Sequence, residues 1–171
     1  SYDTYGEDQE QELRLLSRFI RPGQVVLDVG ANIGTHTIFF SKLTGPKGRV
    51  IAFEPQRIIF QNLCANLALN ALTNVHALWC GAGANEGRLF VPPIDYRVRN
   101  NFGGLSLKQS AQGEPVPRIA IDGLNLPACH FIKIDVEGME NEVLAGAGKT
   151  ISAFQPILFL ENNKKEESRE L

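Results

Sequence analysis

The sequence predicts an α/β protein of the Rossmann-like class, with a doubly wound and mostly parallel β-sheet. Short apolar runs without polar alternation recur along the chain, which is the pattern of strands buried on both faces. Segments with helical periodicity separate these runs, so helices can cover the sheet between parallel strands. We expect a single domain over residues 1–171, because a chain of this length buries about two thirds of its unfolded surface.

The elements follow from the amino terminus. Residues 1–22 are interpreted as a helical lead-in, since Leu13, Leu16 and Ile20 recur at helical spacing before Pro22 and Gly23 end the helix. The predicted strands cover residues 24–29, 49–53, 75–79, 131–134 and 157–160. The predicted helices between them cover residues 35–42, 55–70 and 141–147.

Composition narrows the class of partner. The formal net charge is −2, which gives no electrostatic reason to expect nucleic acid or a membrane surface as a partner. No apolar run approaches the roughly 18 residues of a membrane span, and the acidic amino terminus is unlike a signal peptide. Three scattered cysteines without a CxxC pair favour a reducing compartment, so we expect a cytoplasmic protein.

Acidic residues gather at the predicted carboxyl ends of the strands. The five end positions are Asp28, Glu54, Cys80, Asp135 and Glu161. Any single carboxylate there is explained as well by capping of the next helix. Several carboxylates in one crevice, however, suit a cofactor that is cationic or rich in hydroxyl groups. The carboxyl ends of the strands are also where a doubly wound sheet binds its ligand.

The loop after the first strand, Gly30-Ala31-Asn32-Ile33-Gly34, lacks the middle glycine that brings a pyrophosphate close to the backbone. Asp28 adds negative charge there, so the loop favours a ligand with a positive centre and no phosphate, such as S-adenosylmethionine. Glu54, at the end of the second strand, suits a ribose diol, a role shared by NAD and S-adenosylmethionine sites. The small residues at positions 81–83 leave room for adenine.

Four segments together resemble the FkbM-type methyltransferase family, within the class I S-adenosylmethionine-dependent superfamily. They are "VVLDVGANIGTHTIFF", "VIAFEP", "NFGGLSL" and "FIKIDVEGMENEVLAGA". The resemblance runs in order from Gly23 to Glu161. It implies a class I fold and O-methylation, often of a sugar or natural-product hydroxyl. Class I enzymes end with two further strands, which we do not find after Leu160, so we expect a truncated carboxyl terminus.

The resemblance also implies the roles of individual residues. The glycine loop and Asp135 would face the methionine end of the cofactor, Glu54 the ribose, and the loop at Cys80 the adenine. The residues expected to bind S-adenosylmethionine are Asp28, Gly30, Asn32, Gly34, Thr37, Glu54, Cys80, Gly81, Ala82 and Asp135.

The acceptor hydroxyl needs a base, for which His36, Asp135 and Glu137 are candidates. Asp135 with Glu161 and Asn162 would suit Mg²⁺, but we do not predict a metal site.

Residues 88–126 form a loosened stretch with β-like pieces at 89–91, 105–107 and 117–121. We expect this irregular insert to act as a lid, because long connections tend to be functional. The residues in it expected to bind a small-molecule or glycan acceptor are Tyr96, Arg97, Asn101 and Phe102.

Two alternatives to the methyltransferase stay open. The first is an NAD-dependent oxidoreductase, which the missing middle glycine disfavours. The second is a non-catalytic module that binds S-adenosylmethionine without transferring its methyl group. The sequence leaves the acceptor undetermined among sugars, lipid-linked glycans, polyketides and phenols. A homodimer that pairs through an uncovered sheet edge is a further expectation.

Overall fold

The computed structural model describes residues 11–97 and 112–160. Their helices and strands alternate as the sequence pattern predicts. The described part of a first helix, α1, covers residues 11–16. The other elements are β1 Val25–Val29, α2 Thr35–Thr44, β2 Arg49–Phe53, α3 Arg57–Leu69, β3 Val75–Leu78, β4 Gly81–Ala82, β5 Gly87–Val91, β6 Glu114–Ile119, a 3-10 helix Ile121–Leu124, β7 Phe131–Ile134, α4 Glu140–Ala145, α5 Gly148–Phe154 and β8 Ile157–Leu160.

Five of the strands form one parallel sheet in the order β3-β2-β1-β7-β8. The chain moves outward from β1 to β3, then returns to place β7 on the other side of β1. Strand order therefore reverses between β1 and β7, where Val26 pairs with Phe131 and Val29 with Ile134. The predicted doubly wound, parallel sheet is confirmed, and its switch point opens a crevice at the carboxyl ends of these two strands.

Both faces of this sheet are buried, which explains why the strands do not alternate with polar residues. On one face, Val26, Val50 and Phe131 pack with Leu16 and Phe40 of the first two helices. On the opposite face lie Leu27, Val29, Ile51, Phe53, Ile132 and Ile134, together with Val143 and Ala147 from the carboxyl-terminal helical region. Within the described residues, no helix is both long and apolar enough to cross a bilayer.

The described part of the segment predicted as an irregular insert is more regular than its sequence suggested. It contributes to a second sheet, in which β6 pairs parallel to β4 and antiparallel to β5. The predicted β-like pieces at 89–91 and 117–121 overlap β5 and β6, but Pro115 and Pro117 obscured the extent of β6, because proline cannot donate to a ladder. Both lie on the part of β6 that pairs only with β5, since β4 reaches only Arg118 and Ile119.

Three expectations about the fold fall partly or wholly on residues outside the described ranges. Residues 1–10 of the helical lead-in precede the first range, the β-like piece at 105–107 lies between the two ranges, and residues 161–171, where a truncated end was expected, follow the last one.

Candidate cofactor and active site

A cavity lies at the carboxyl ends of β1, β2 and β7, and the second sheet forms one of its walls. Both the acidic strand ends and the apolar wall therefore face the same space. The lining residues are Val29, Gly30, Asn32, Phe53, Glu54, Pro55, Gln56, Cys80, Gly81, Ala82, Leu89, Asp135, Val136, Glu137 and Met139.

Gly30 begins the loop after β1, where two strand ends approach closely. It has a φ of 83°, and a Cβ at this position would overlap the backbone carbonyl oxygen of Asp135. The N–H groups of Gly30 and Ala31 both donate to the carbonyl oxygen of Phe53, at 3.1 and 2.9 Å. The loop is thus fixed to β2 on one side and pressed against the end of β7 on the other.

Asn32 takes the place of the middle glycine in the loop. Its φ of 51° is left-handed, a conformation that asparagine tolerates better than most residues. Its side-chain Oδ1 accepts from the N–H of Ile33 at 2.8 Å. Its own N–H donates to Oε2 of Glu54 at 2.9 Å. Asn32 thus adopts a left-handed conformation at the position of the absent glycine, and its N–H meets a carboxylate, which disfavours a pyrophosphate beside it.

Glu54 places a buried carboxyl group at the end of β2, with only 4% of the residue exposed. Its Oε1 accepts from the N–H of Gln56 at 2.8 Å, and its Oε2 from Asn32. Burial raises the pKa of Glu54 to about 7 despite these two hydrogen bonds. Burial therefore favours the neutral form of this carboxyl group more than exposure to solvent would.

Asp28 and Lys133 lie side by side beneath the strand ends. Asp28 is fully buried, and its Oδ2 accepts a hydrogen bond of 2.5 Å from the hydroxyl of Thr37. The Lys133 ammonium lies 3.7 Å from Oδ1 of Asp28 and 3.1 Å from Oδ2 of Asp135. Asp28 and Thr37 were both expected to bind the cofactor, but neither lines the cavity. Their hydrogen bond instead joins β1 to α2 behind the cavity.

Asp135 and Glu137 bring two carboxylates to the cavity after β7. The Asp135 side chain is 26% exposed. Glu137 has a φ of 52°, which is rare for a residue with a long side chain. Oε1 of Glu140 accepts from the N–H groups of Val136 and Gly138, at 3.3 and 3.1 Å. These two hydrogen bonds bracket Glu137 and hold the strained turn in place.

His36 does not line the cavity, although it was a candidate base. Its Nε2 lies 3.0 Å from Oε1 of Glu12, and its ring packs 5.9 Å from that of Phe40. His36 therefore forms a contact that joins α2 to α1.

Gly34 also lies outside the lining, as the residue that precedes α2. Its φ is 97°, and a Cβ there would come within 2.6 Å of Cδ1 of Leu63.

The wall predicted to receive adenine is small and apolar. Cys80 is 5% exposed, and burial raises the pKa of its thiol to about 12, so it stays protonated. At Gly81, a Cβ would overlap the side chain of Leu89 from β5. Leu89 and Met139 complete this wall. Sequence reasoning missed both, because the second sheet brings Leu89 to the cavity and the turn after β7 brings Met139 there.

The residues expected to bind the acceptor are only partly described. Tyr96 is partly buried, and burial together with the charges of Glu114 and Glu54 raises its pKa. The guanidinium of Arg97 is bound to the Asp95 carboxylate by hydrogen bonds of 2.9 and 3.0 Å. Neither residue lines the cavity. Asn101 and Phe102 lie outside the described residues.

The magnesium alternative depends on Glu161 and Asn162, which also lie outside those ranges. In the described part of the chain, no group of three or more His, Cys, Asp or Glu side chains could hold a metal ion.

Several of the known proteins similar to this chain are named as methyltransferases. Hexuronic acid methyltransferase AglP of Haloferax volcanii is 29% identical over 157 residues, covering 89% of this chain and 60% of that protein. Methyltransferase sdnD of Sordaria araneosa is 40% identical over 72 residues, covering 42% of this chain and 26% of that protein. A crystal structure of Methyltransferase FkbM from Methylobacillus flagellatus has a TM-score of 0.59 at 26% identity, covering 84% of this chain and 38% of that one.

The chain therefore spans less than two thirds of each of these proteins. The family described as the Methyltransferase FkbM domain matches residues 28–170, which is most of the chain. The match contains the glycine loop, the Glu54 strand end and the turn at Asp135, the same segments that build the cavity. The fold is that of the class I methyltransferases, and the chain belongs to the FkbM methyltransferase family.

Proposed function

We propose that this chain is the catalytic domain of an S-adenosylmethionine-dependent methyltransferase that O-methylates a hydroxyl of a sugar or natural product. The observation that carries the proposal is the Glu54 carboxyl group, buried at the cavity and held by an N–H of the glycine loop. Membership of the FkbM family supports methyl transfer. The name of the Haloferax relative, a hexuronic acid methyltransferase, supports an acceptor of the sugar class.

The residues of the cavity fit the parts of S-adenosylmethionine. Each Glu54 oxygen accepts one backbone hydrogen bond and keeps a lone pair, which suits the two hydroxyls of a ribose. The apolar wall at Cys80, Gly81 and Leu89 suits the flat adenine ring. Asp135 and Glu137 put negative charge where the cationic end of the cofactor would lie.

The bound cofactor would supply an electrophilic methyl group on a sulfonium. The task of the chain is then to orient the acceptor oxygen and to remove its proton. Asp135 and Glu137 are the candidate bases that line the cavity. The hydrogen bonds from Val136 and Gly138 to Glu140 fix the turn that carries Glu137, and so limit the directions in which its carboxylate can point.

The cavity disfavours the NAD-dependent alternative for a physical reason. A dinucleotide site offers loop N–H groups to a pyrophosphate. Here the N–H of Asn32 donates to Glu54, and the N–H groups of Gly30 and Ala31 donate to Phe53. A non-catalytic module would keep the same cavity, so turnover on a hydroxylated acceptor separates that alternative from the enzyme.

Isothermal titration calorimetry with S-adenosylmethionine, S-adenosylhomocysteine and NAD tests the cofactor. We expect the first two ligands to bind and NAD not to bind. Glu54→Gln should weaken both by about tenfold, because one of the two oxygens that would accept from the diol is replaced by an amide nitrogen, which donates. Glu86→Gln, at an exposed position, is the matched control and should bind as the wild type does. Binding of NAD alone would overturn the proposal.

The same proposal includes a cytoplasmic location, which the three free cysteines support. It also includes a hydroxylated small molecule or glycan as the acceptor and a homodimer as the assembly. Sedimentation of the purified chain tests the last point, since a monomer at all concentrations would contradict it.

A further inference from the structure

We infer that Lys133 is a positioning residue for the methyl-transfer site, because its buried ammonium holds the Asp135 carboxylate in place at the cavity. This inference rests on the proposed function, since it assigns Asp135 to cofactor binding. Lys133 itself does not line the cavity, and no role in the site follows from its position in the sequence alone.

The register of the sheet determines which groups meet at Lys133. Lys133 pairs with Asp28 on the neighbouring strand β1, so their side chains lie on the same face. Asp135 follows two residues later along the chain and returns to that face. The ammonium consequently lies between the two carboxylates, 3.7 Å from Asp28 and 3.1 Å from Asp135.

The two carboxylates differ in what else they contact. Asp28 is fully buried, and Thr37 donates a hydrogen bond to its Oδ2, whereas its Oδ1 has Lys133 as its ion-pair partner. The Asp135 side chain is 26% exposed and reaches the cavity. Its 3.1 Å contact with Lys133 connects it to the buried core. The ammonium thus holds the Asp135 carboxylate, which lines the cavity, at a fixed position relative to Asp28.

Burial makes the arrangement specific. Only 2% of the Lys133 side chain is exposed, so its charge must be satisfied by partners inside the protein. Two carboxylates around one ammonium leave a local excess of negative charge, to which the Glu54 carboxyl group adds when ionised. Loss of the ammonium would increase this excess, so weaker binding of a cationic cofactor without Lys133 would report the position of Asp135 and not the local charge.

A purely structural role for Lys133 is the competing explanation. In that case the ammonium would serve only to neutralise Asp28 in the core, and its contact with Asp135 would have no consequence for binding. The two explanations differ in what happens when Asp28 and Lys133 are both made neutral. They differ also in whether the affinity that is lost when Lys133 is replaced depends on the presence of the Asp135 carboxylate.

The test is a double-mutant cycle on S-adenosylmethionine affinity with Lys133→Met, Asp135→Asn and the pair. We expect Lys133→Met to weaken binding by about tenfold, and to add less than about threefold when Asp135 is already Asn. Losses that multiply in the pair would overturn the inference, as would wild-type affinity in Lys133→Met. Lys47→Met, at an exposed position, is the control and should leave affinity unchanged.

Lys133→Met leaves a buried Asp28 without its ion-pair partner and so risks unfolding. The double variant Asp28→Asn with Lys133→Met removes both charges and keeps an acceptor for Thr37. We expect it to fold and still bind weakly. Wild-type affinity in this variant would show that Lys133 acts only on the core, and would overturn the inference.

A ligand-free readout separates this inference from the proposed function. In crystals of the unliganded Asp28→Asn and Lys133→Met double variant, we expect the Asp135 carboxylate to leave the position that it holds beside Lys133 in the wild type. An unmoved carboxylate would refute the positioning role. Failure of the wild type to bind S-adenosylmethionine would instead refute the proposed function.

Discussion

Folding and ligand binding favour different protonation states of the Glu54 carboxyl group. Burial favours its neutral form, while two backbone N–H groups and any hydroxyl donor favour its ionised form. Burial has the larger effect and raises the pKa to about 7, against 4.5 for an exposed glutamate. The folded protein therefore holds this proton more tightly than the unfolded chain does.

This difference predicts how stability depends on pH. Because the folded pKa is the higher one, the contribution of Glu54 is fully present below pH 4.5 and is lost as pH rises through about 7. At about 1.4 kcal/mol per pKa unit, the rise from 4.5 to about 7 predicts a loss of about 3 kcal/mol in the free energy of unfolding.

Urea denaturation of the wild type and Glu54→Gln between pH 5 and 8 measures the effect. The difference between the two unfolding free energies should shift in favour of the variant as pH rises. A difference that is constant over this range would contradict the account of Glu54.

At the scale of elements, the sheet could be predicted because its central strands β1, β2 and β7 are mostly buried and form short apolar runs between helical segments. The second sheet was predicted only as separate β-like pieces at 89–91 and 117–121, since β4 has two residues and β6 carries two prolines. What positions the site is the meeting of the ends of β1 and β7. Gly30 permits it, because any Cβ there would overlap the carbonyl group of Asp135.

Alanine at two glycines separates backbone strain from steric overlap. Gly23 and Gly30 have nearly equal φ values, 85° and 83°, but nothing lies within 4 Å of a Cβ at Gly23. We expect Gly23→Ala to cost about 1 kcal/mol of unfolding free energy from the left-handed conformation alone. Gly30→Ala should cost about 2–3 kcal/mol more, because β1 and β7 must move apart.

Thermal and urea denaturation of the two variants measures these costs. Equal costs for Gly23→Ala and Gly30→Ala would mean that the ends of β1 and β7 are not in close contact. S-adenosylmethionine binding should also weaken in Gly30→Ala and stay unchanged in Gly23→Ala.

Residues of the candidate site that lie beyond the end of a strand could be predicted from the sequence. Residues within a strand were harder to predict. Glu54, Asp135 and Glu137 follow strand ends and reach the cavity. Asp28 lies inside β1, so the pleat turns its side chain under α2. A sequence pattern identifies where a strand ends, but it does not determine which of the residues near that end points into the cavity. His36 differs because its partner, Glu12, belongs to another helix.

In the molecule as a whole, the cavity depends on the second sheet being attached to the first. Met139 follows β7 and packs with Leu89, Val91 and Val116 of the second sheet. It is 5% exposed and also lines the cavity. One side chain therefore belongs both to the contact between the sheets and to the wall of the site.

Met139→Ala should destabilise the protein by about 3 kcal/mol, because a large side chain leaves a void in a packed cluster. It should also weaken S-adenosylmethionine binding, since the second sheet loses part of its support. Leu69→Ala is the control, since Leu69 is 84% exposed on α3 and should change stability by less than about 0.5 kcal/mol. Calorimetric unfolding and titration of both variants make the comparison. Unchanged binding in a destabilised Met139→Ala would contradict the link.

The central claim is that the crevice between β1, β2 and β7 is an S-adenosylmethionine site. A crystal structure with S-adenosylhomocysteine tests it most directly. The account predicts that both ribose hydroxyls contact Glu54, that the adenine lies against Gly81 and Leu89, and that the sulfur lies on the side of Asp135. A ligand bound elsewhere, or with its ribose away from Glu54, would contradict the account.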